Sequence, residues 1–220
     1  MRAGLAAAVL AVAASGCVIL PRTLDMPPND VTTVALLTGT LGPPLNDIAR
    51  HPWFAVRRAG ATLWTTYEVG GGVGRERDPF HDHGSYGKPI LHGLWRGAEA
   101  ERAADCLATY GEAAAEHIED HYVFYPGPNS NTFGDQMLRR CGLHATLPAT
   151  SVGKDWRGVA GAGVTSEGDG LQLETAVIGV KIGLREGVEI HVIGLTFGID
   201  LWPPAILLPI GPGRIGFADR

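Results

Sequence analysis

The chain has 220 residues, 45% of them hydrophobic, and 18 basic against 23 acidic side chains give a net charge of −5. That length suits one domain, two at most, and the apolar fraction supplies a full core. The acidic balance excludes nucleic acid as a partner, because such binding rests on neutralising phosphates.

At the N-terminus, Arg2 precedes an apolar run from Leu5 to Ala14, followed by Ser15 and Gly16. This is the layout of a secretory signal over residues 1–16. The run is too short for a permanent membrane helix, which needs about 20 residues. Cys17, directly after Ala14-Ser15-Gly16, resembles the cysteine of a bacterial lipobox. The resemblance implies cleavage before Cys17, acylation of its thiol and new amino group, and a membrane-anchored lipoprotein of the cell envelope facing the periplasm or exterior. Ordinary secretion without lipid is the alternative. Removing residues 1–16 leaves 17 basic against 23 acidic side chains, near −6.

Residues 17–45 then read as the lipid-anchored N-terminus, a Pro-rich tether and a first strand, and residues 46–220 as a single α+β domain. "VTTVALLTG" (31–39) is that strand, closed by Gly39 and the Gly42-Pro43-Pro44 break. "WFAVRR" (53–58) and "TLWTTYEV" (62–69) are aromatic and β-branched runs around Ala59-Gly60-Ala61, the pattern of a hairpin. Residues 70–89 form a long Gly- and charge-rich loop. From Ala98 to about His121 the Ala- and Glu-rich composition predicts a long helix, with Leu107, Tyr110, Ala114, Ile118 and Tyr122 along one face. A shorter helix starts within "NSNTFGDQMLRRC" and stops at Gly142, a residue suited to the position after a helix. Beyond Thr165, "LQLETAVIGVKIGL" and "VEIHVIGLTFGIDL" read as a second hairpin joined by Arg185-Glu186-Gly187. "LWPPAILLPIGPGRIGF" reads as an extended strap over the sheet, with contact to lipid or a partner as the other reading. Strands, then helices, then strands give an α+β class with a mainly antiparallel sheet and two helices.

"YPGPNSNTF" (125–133), "LPATSVGKD" (147–155) and the terminal "PGRIGF" (212–217) resemble an uncharacterised bacterial family known only as a domain of unknown function. That likeness covers roughly residues 45 to 217 and carries no activity. More faintly, "RHPWFAV" with His51 and "NSNTF" with Ser130 are similar to two motifs of circularly permuted papain-like proteins, such as lecithin:retinol acyltransferase and the PPPDE peptidases. Those families place a histidine on an early strand and a nucleophile at the start of a later helix. The resemblance implies a permuted papain-like fold with Ser130 where those families hold cysteine; Pro52 is an insertion relative to the acyltransferase pattern.

The chemistry of such a site follows from the helix N-terminus, whose partial positive charge and free N–H groups stabilise an oxyanion. A serine there needs a true general base and a third group to hold it. If the first hairpin turns through Ala59-Gly60, His51 lies directly opposite Glu68, while a loop one residue longer misaligns them. Ser130 as nucleophile, His51 as base and Glu68 as orienting group make the candidate catalytic set. Asn129, Asn131, Tyr125, Lys154 and Asp155 are candidate binding residues, and Lys154-Asp155 in its plainest role is a surface ion pair near the site. The bland reading is a capped helix start, with Thr132 and Asp135 approximating a capping box.

Cys106 and Cys141 form an even pair, read either as one disulfide or as two buried thiols. His117 and His121 stand at i and i+4 without an identifiable third ligand, and His81, Asp82, His83 and His92 sit in the long loop, where solvated side chains are the simpler reading. The expected metal complement is none. "GGGVG" lacks the Lys-Ser/Thr of a phosphate loop, and no cofactor is called for. Two functions remain: a hydrolase or acyltransferase on an envelope amide or ester, and a non-catalytic module binding an envelope peptide, glycan or lipid in the same cleft. A metal-dependent hydrolase through His117 and His121 ranks below both.

Overall fold

The computed structural model describes residues 28–46, 49–71, 73–80 and 87–217. The expected signal segment, Cys17, most of the tether and His81-Asp82-His83 lie outside these residues.

A first sheet contains β1 (Thr33–Thr40), β2 (Arg50–Arg57), β3 (Trp64–Tyr67), β4 (Arg75–Arg77) and β5 (Ile90–Arg96), in the order β4-β3-β2-β1-β5. Every pairing in it is antiparallel. β1 and β2 are buried almost end to end, as strands covered on both faces must be. β1 lies between β2 and β5, so the folded unit begins before residue 46. On one face Val34, Leu36, Phe54, Val56 and Tyr67 pack with the helices. On the other, Ala35, Leu37, Trp53, Ala55 and Trp64 form a smaller cluster.

Two helices cover the first face, α1 (Ala98–Asp120) and α2 (Ser130–Cys141). α1 buries Ala100, Ala103, Ala104, Leu107, Gly111, Ala115 and Ile118. Small residues on that stripe let the helix approach closely: a Cβ on Gly111 would meet the Tyr67 ring at 2.9 Å. The stripe is rotated from the expected one, and Tyr110 is exposed, with Arg140 stacked on its ring. α2 ends where Gly142 adopts φ 64°, a left-handed stop. A Cys106–Cys141 disulfide, Cα–Cα 5.6 Å, ties the two helices together.

The remaining chain forms a second sheet in strict chain order: β6 (Ala160–Val164), β7 (Gly170–Thr175), β8 (Ile178–Gly183), β9 (Gly187–Val192), β10 (Leu195–Leu201), β11 (Pro204–Leu207) and β12 (Arg214–Gly216). The two long runs expected as one hairpin are therefore four strands. The extra turns fall at Ala176-Val177 and Ile193-Gly194, where apolar residues hide them from a reading that looks for polar turn chemistry. Ile193 itself takes φ 48°, a strained value for a β-branched side chain. The terminal segment is not a strap across the sheet; its residues supply β11 and the edge strand β12.

Burial alternates along this second sheet with period two, as a half-covered sheet requires. Its covered face is polar, however, carrying Gln172, Glu174, Lys181, Glu189, His191 and Thr196, and its open face is apolar. The polar face closes over the segment from Ser151 to Trp156. At the junction, Gly153 donates its N–H to the Gly194 carbonyl at 3.0 Å. A Cβ on Gly194 would meet the Pro126 carbonyl at 2.8 Å, so the β9–β10 turn sits directly on the YPGPNSNTF segment. Among the described residues no helix is long and apolar enough to cross a membrane.

Candidate functional site

The YPGPNSNTF segment is built around one side chain. Asn129 is the N-cap of α2, and its Oδ1 accepts the N–H groups of Asn131 (2.9 Å) and Thr132 (3.3 Å). Thr132 Oγ1 answers by accepting the Asn129 N–H at 3.1 Å and donates to the Gly153 carbonyl at 2.7 Å. The capping box therefore runs from Asn129 to Thr132, three residues earlier than the expected Thr132–Asp135 frame. Asp135 instead pairs with Arg139 and Arg157. Asn129 Nδ2 also donates to the Phe124 and Val152 carbonyls, clamping both arms of the loop to the helix start. The cap consumes the second and third N–H groups of the helix and not that of Ser130.

A cavity of about 400 Å³ opens at this point. Its walls come from the ends of β1 and β2 (Leu41, Ala49, Arg50, His51), from Val69 and Gly70 after β3, from Glu119 and Tyr122 at the end of α1, and from Asn129, Ser130 and Asn131. Ser130 and His51, 79 positions apart in sequence, thus line one cavity. His51 Nε2 lies 2.9 Å from Glu68 Oε2, and both side chains are buried.

The route to that bond differs from the expected one. The β2–β3 register pairs Phe54 with Tyr67 and Val56 with Thr65, so the connecting loop is two residues longer than the tight turn. His51 is not directly opposite Glu68. A slip of two preserves the face, whereas a slip of one would not, and the carboxylate reaches the imidazole on the diagonal.

Tyr122 was not legible as a site residue. It lines the cavity with Ser130, and partial burial raises its pKa above the ordinary value more than its interaction with Ser130 lowers it. The position directly after α1, eight residues before Ser130, was the only available signal. Asn131 Nδ2 donates to the Val152 carbonyl at 3.0 Å, which fixes the orientation of the amide. Asn131 Oδ1 is buried on the cavity wall with no hydrogen-bond partner. Tyr125 is exposed and does not line the cavity.

Lys154 and Asp155 form an ion pair at 2.6 Å, but it is not at the surface: their side chains are only 2% and 4% exposed. Asp155 also receives Lys181 (2.8 Å), His191 (3.2 Å), Thr196 (3.2 Å) and Gln172 (3.2 Å). Glu189 Oε2 takes Lys154 at 2.8 Å and His191 at 3.0 Å, and Glu174 hydrogen-bonds the other ring nitrogen of His191. Burial raises Asp155 and Glu189, but Lys154 and Lys181 outweigh it and hold both below the carboxylate range, Glu189 at about 2. Burial pushes His191 down, and Asp155, Glu174 and Glu189 more than reverse this. Lys154, Lys181 and the His191 ring thus meet Asp155, Glu174 and Glu189 in a closed cluster. It fastens the second sheet to the segment after α2 and leaves these residues no part in the cavity.

Asp155, Glu174 and His191 place one ligand-type atom each within 4.8 Å, the one such trio among the described residues. Lys154 and Lys181 already pair with Asp155, and both ring nitrogens of His191 are engaged by carboxylates, so the trio suits a salt-bridge cluster better than a cation. No third ligand among the described residues joins His117 and His121. His92 is on β5 rather than in the loop, bonded to Thr38 at 2.7 Å; burial, helped by Arg50, pushes it down to about 4. Trp53, Trp64 and Trp95 are core residues, whereas Trp202 is exposed.

A family model described as "Protein of unknown function (DUF3750)" matches residues 32–156. The match starts earlier than the likeness read from the motifs and stops before β6, leaving the second sheet outside it. No curated protein and no solved structure matches the chain.

Proposed function

Because the chain belongs to the DUF3750 family, whose description names no activity, we propose its function from the cavity: a serine-type hydrolase or acyltransferase acting on an amide of the cell envelope, from a lipid-anchored lipoprotein. One observation carries this reading, the convergence of Ser130 with the buried His51–Glu68 pair on a single cavity. Glu68 accepts the His51 Nε2–H and holds the ring so that proton exchange with the serine runs through Nδ1. Ser130 Oγ adds to the substrate carbonyl, His51 takes its proton, and the same proton passes to the leaving group. The oxyanion then forms beside the Tyr122 hydroxyl and the Ser130 N–H at the positive end of α2. Water or an acceptor hydroxyl or amine releases the acyl group.

The unpartnered Asn131 Oδ1 favours an amide over an ester, since an amide brings the N–H that this buried acceptor lacks. Leu41, Val69, Tyr122, Phe124 and Val152 give the rest of the wall an apolar character suited to the acyl portion. The test is labelling by a fluorophosphonate probe. Wild type is expected to react and Ser130→Ala to stay unlabelled; equal labelling of both rejects the nucleophile and leaves a binding cleft.

A further inference from the structure

The open face of the second sheet is apolar from one edge to the other. A single cross-strand row runs Val164–Leu171–Ile182–Val188–Ile199–Ile206–Ile215, one residue from each of the seven strands. A second row runs Ala162–Leu173–Val180–Ile190–Phe197. Leu171 is 72% exposed and Trp202, in the β10–β11 turn, 68%. Seven strands at about 4.8 Å spacing and some six residues long make a face about 30 Å by 20 Å, at the top of the range for apolar patches on monomers. The turns and the end of the sheet continue it with Val177, Leu184, Ile193 and Phe217.

We propose that this face rests on the acyl chains of a lipid bilayer. Three features select lipid over a protein surface. The strands offer a partner almost nothing to hydrogen-bond: the one hydroxyl on the face, Thr175 Oγ1, already donates to the Ile178 carbonyl. Protein interfaces carry about one hydrogen bond per 100–200 Å², whereas acyl chains need none. Along β6 to β9 the face holds a shallow open depression of about 760 Å³ lined mainly by Ala162, Leu173, Ile178, Val180 and Ile190, an apolar surface suited to aliphatic chain. Finally, only ten residues separate Cys17 from Pro28, a span of at most about 40 Å even fully extended. A lipid on Cys17 therefore keeps the domain within reach of the bilayer. This last point rests on the lipoprotein reading; the first two do not.

Strands of three to seven residues are too short to cross, since a spanning strand needs about 9–11. The sheet lies on the membrane and does not form a channel through it. Its polar-in, apolar-out alternation is that of a lipid-facing sheet, and the ionic cluster beneath fills the role that water or side chains fill inside a barrel.

The test uses the full chain on vesicles of phosphatidylethanolamine and phosphatidylglycerol with acyl-brominated phospholipid as quencher. The expected result is loss of Trp202 emission, identified as the part of the quenching absent from Trp202→Phe. It should persist in the vesicle-bound fraction of Cys17→Ala, which separates sheet contact from the lipid anchor. Ile190→Lys with Phe197→Lys should weaken vesicle partitioning of the Cys17→Ala chain by about tenfold or more, with an unchanged circular dichroism spectrum. Vesicle-bound wild type whose Trp202 is not quenched overturns the proposal. So does a lipid-free dimer, seen by sedimentation, that the same two lysines dissociate, since the face would then be covered by a second copy.

Discussion

The two halves of the molecule solve burial in opposite ways. Around the first sheet the core is apolar: Phe54, Phe133, Met137 and Leu138 are fully buried, and His51, Asn129, Ser130 and Asn131 line one cavity. Around the second sheet the interior is ionic and the exterior apolar. The first half gains stability from area removed from water. The second is held by a network that is favourable only while every member is present, because a buried ion pair with one partner removed leaves an uncompensated charge. The family match covers residues 32–156, which include the cavity together with Lys154 and Asp155, where the two halves meet.

That contrast is open to direct attack. The largest effect is expected in the first half and on chemistry. Glu68→Gln should slow fluorophosphonate labelling of Ser130 by about 10³-fold or more, as when the orienting carboxylate of a triad is lost, while the disulfide still forms. An unchanged labelling rate would remove Glu68 from the site. Next comes Lys181→Met, which strips one of two ammonium groups from Asp155 and Glu189. A loss of about 3–5 kcal/mol is expected in denaturant unfolding, with the Trp202 signal affected before the near-ultraviolet signal of the first core. Concerted loss of both signals would show that the halves fold as one unit.

A smaller loss, about 2–4 kcal/mol for a bridge closing a 35-residue loop, is expected for Cys106→Ala with Cys141→Ala. Here the order should reverse, with the helices and the cavity loosened and the second sheet retained. Mass spectrometry without reductant checks that the wild-type bridge is present.

The smallest effect is a pH slope. Glu186 is raised by burial to about 7 against the pull of Lys181, so its folded form holds a proton that the unfolded chain releases near 4.5. Its contribution is complete below about pH 4.5 and is lost as pH rises to about 7. His191, also raised, contributes fully below about 6.5 and loses its contribution as pH rises through its folded value. Asp155 and Glu189 act at the other end: their contribution is present above the ordinary carboxylate range and lost as pH falls, for Glu189 through about 2. Thermal unfolding of the second sheet should therefore be most stable near pH 5 and weaken toward pH 8. His191→Gln should flatten the upper part of that slope; an unaltered slope would place the proton elsewhere.

Much of the first half was legible because its signals are local. The Ala-rich run places α1 at Ala98–Asp120 almost to the residue, and Gly142 marks the end of α2. The His51–Glu68 bond was legible for a reason stronger than the turn proposed for it: parity along a hairpin survives a slip of two, so the loop length did not have to be right. The rotated stripe of α1 was missed because alanines, not the larger tyrosines, make the contact, and close approach selects small residues.

The second half resisted reading because its alternation is inverted. In "LQLETAVIGVKIGL" the same period-two pattern fits a sheet of either polarity, and nothing local tells which face meets the protein. Lys154 and Asp155 looked like surface residues because charged side chains seldom bury. The four groups that bury them (Lys181, Glu189, Glu174 and His191) lie 19 to 37 positions downstream.

The β9–β10 turn carries no cushion of side chain where Gly194 presses on Pro126 and bonds Gly153, and those two residues flank the loop that Asn129 clamps. A load on the outer surface of the second sheet is therefore transmitted as a strut transmits it, straight onto the loop that leads into Ser130.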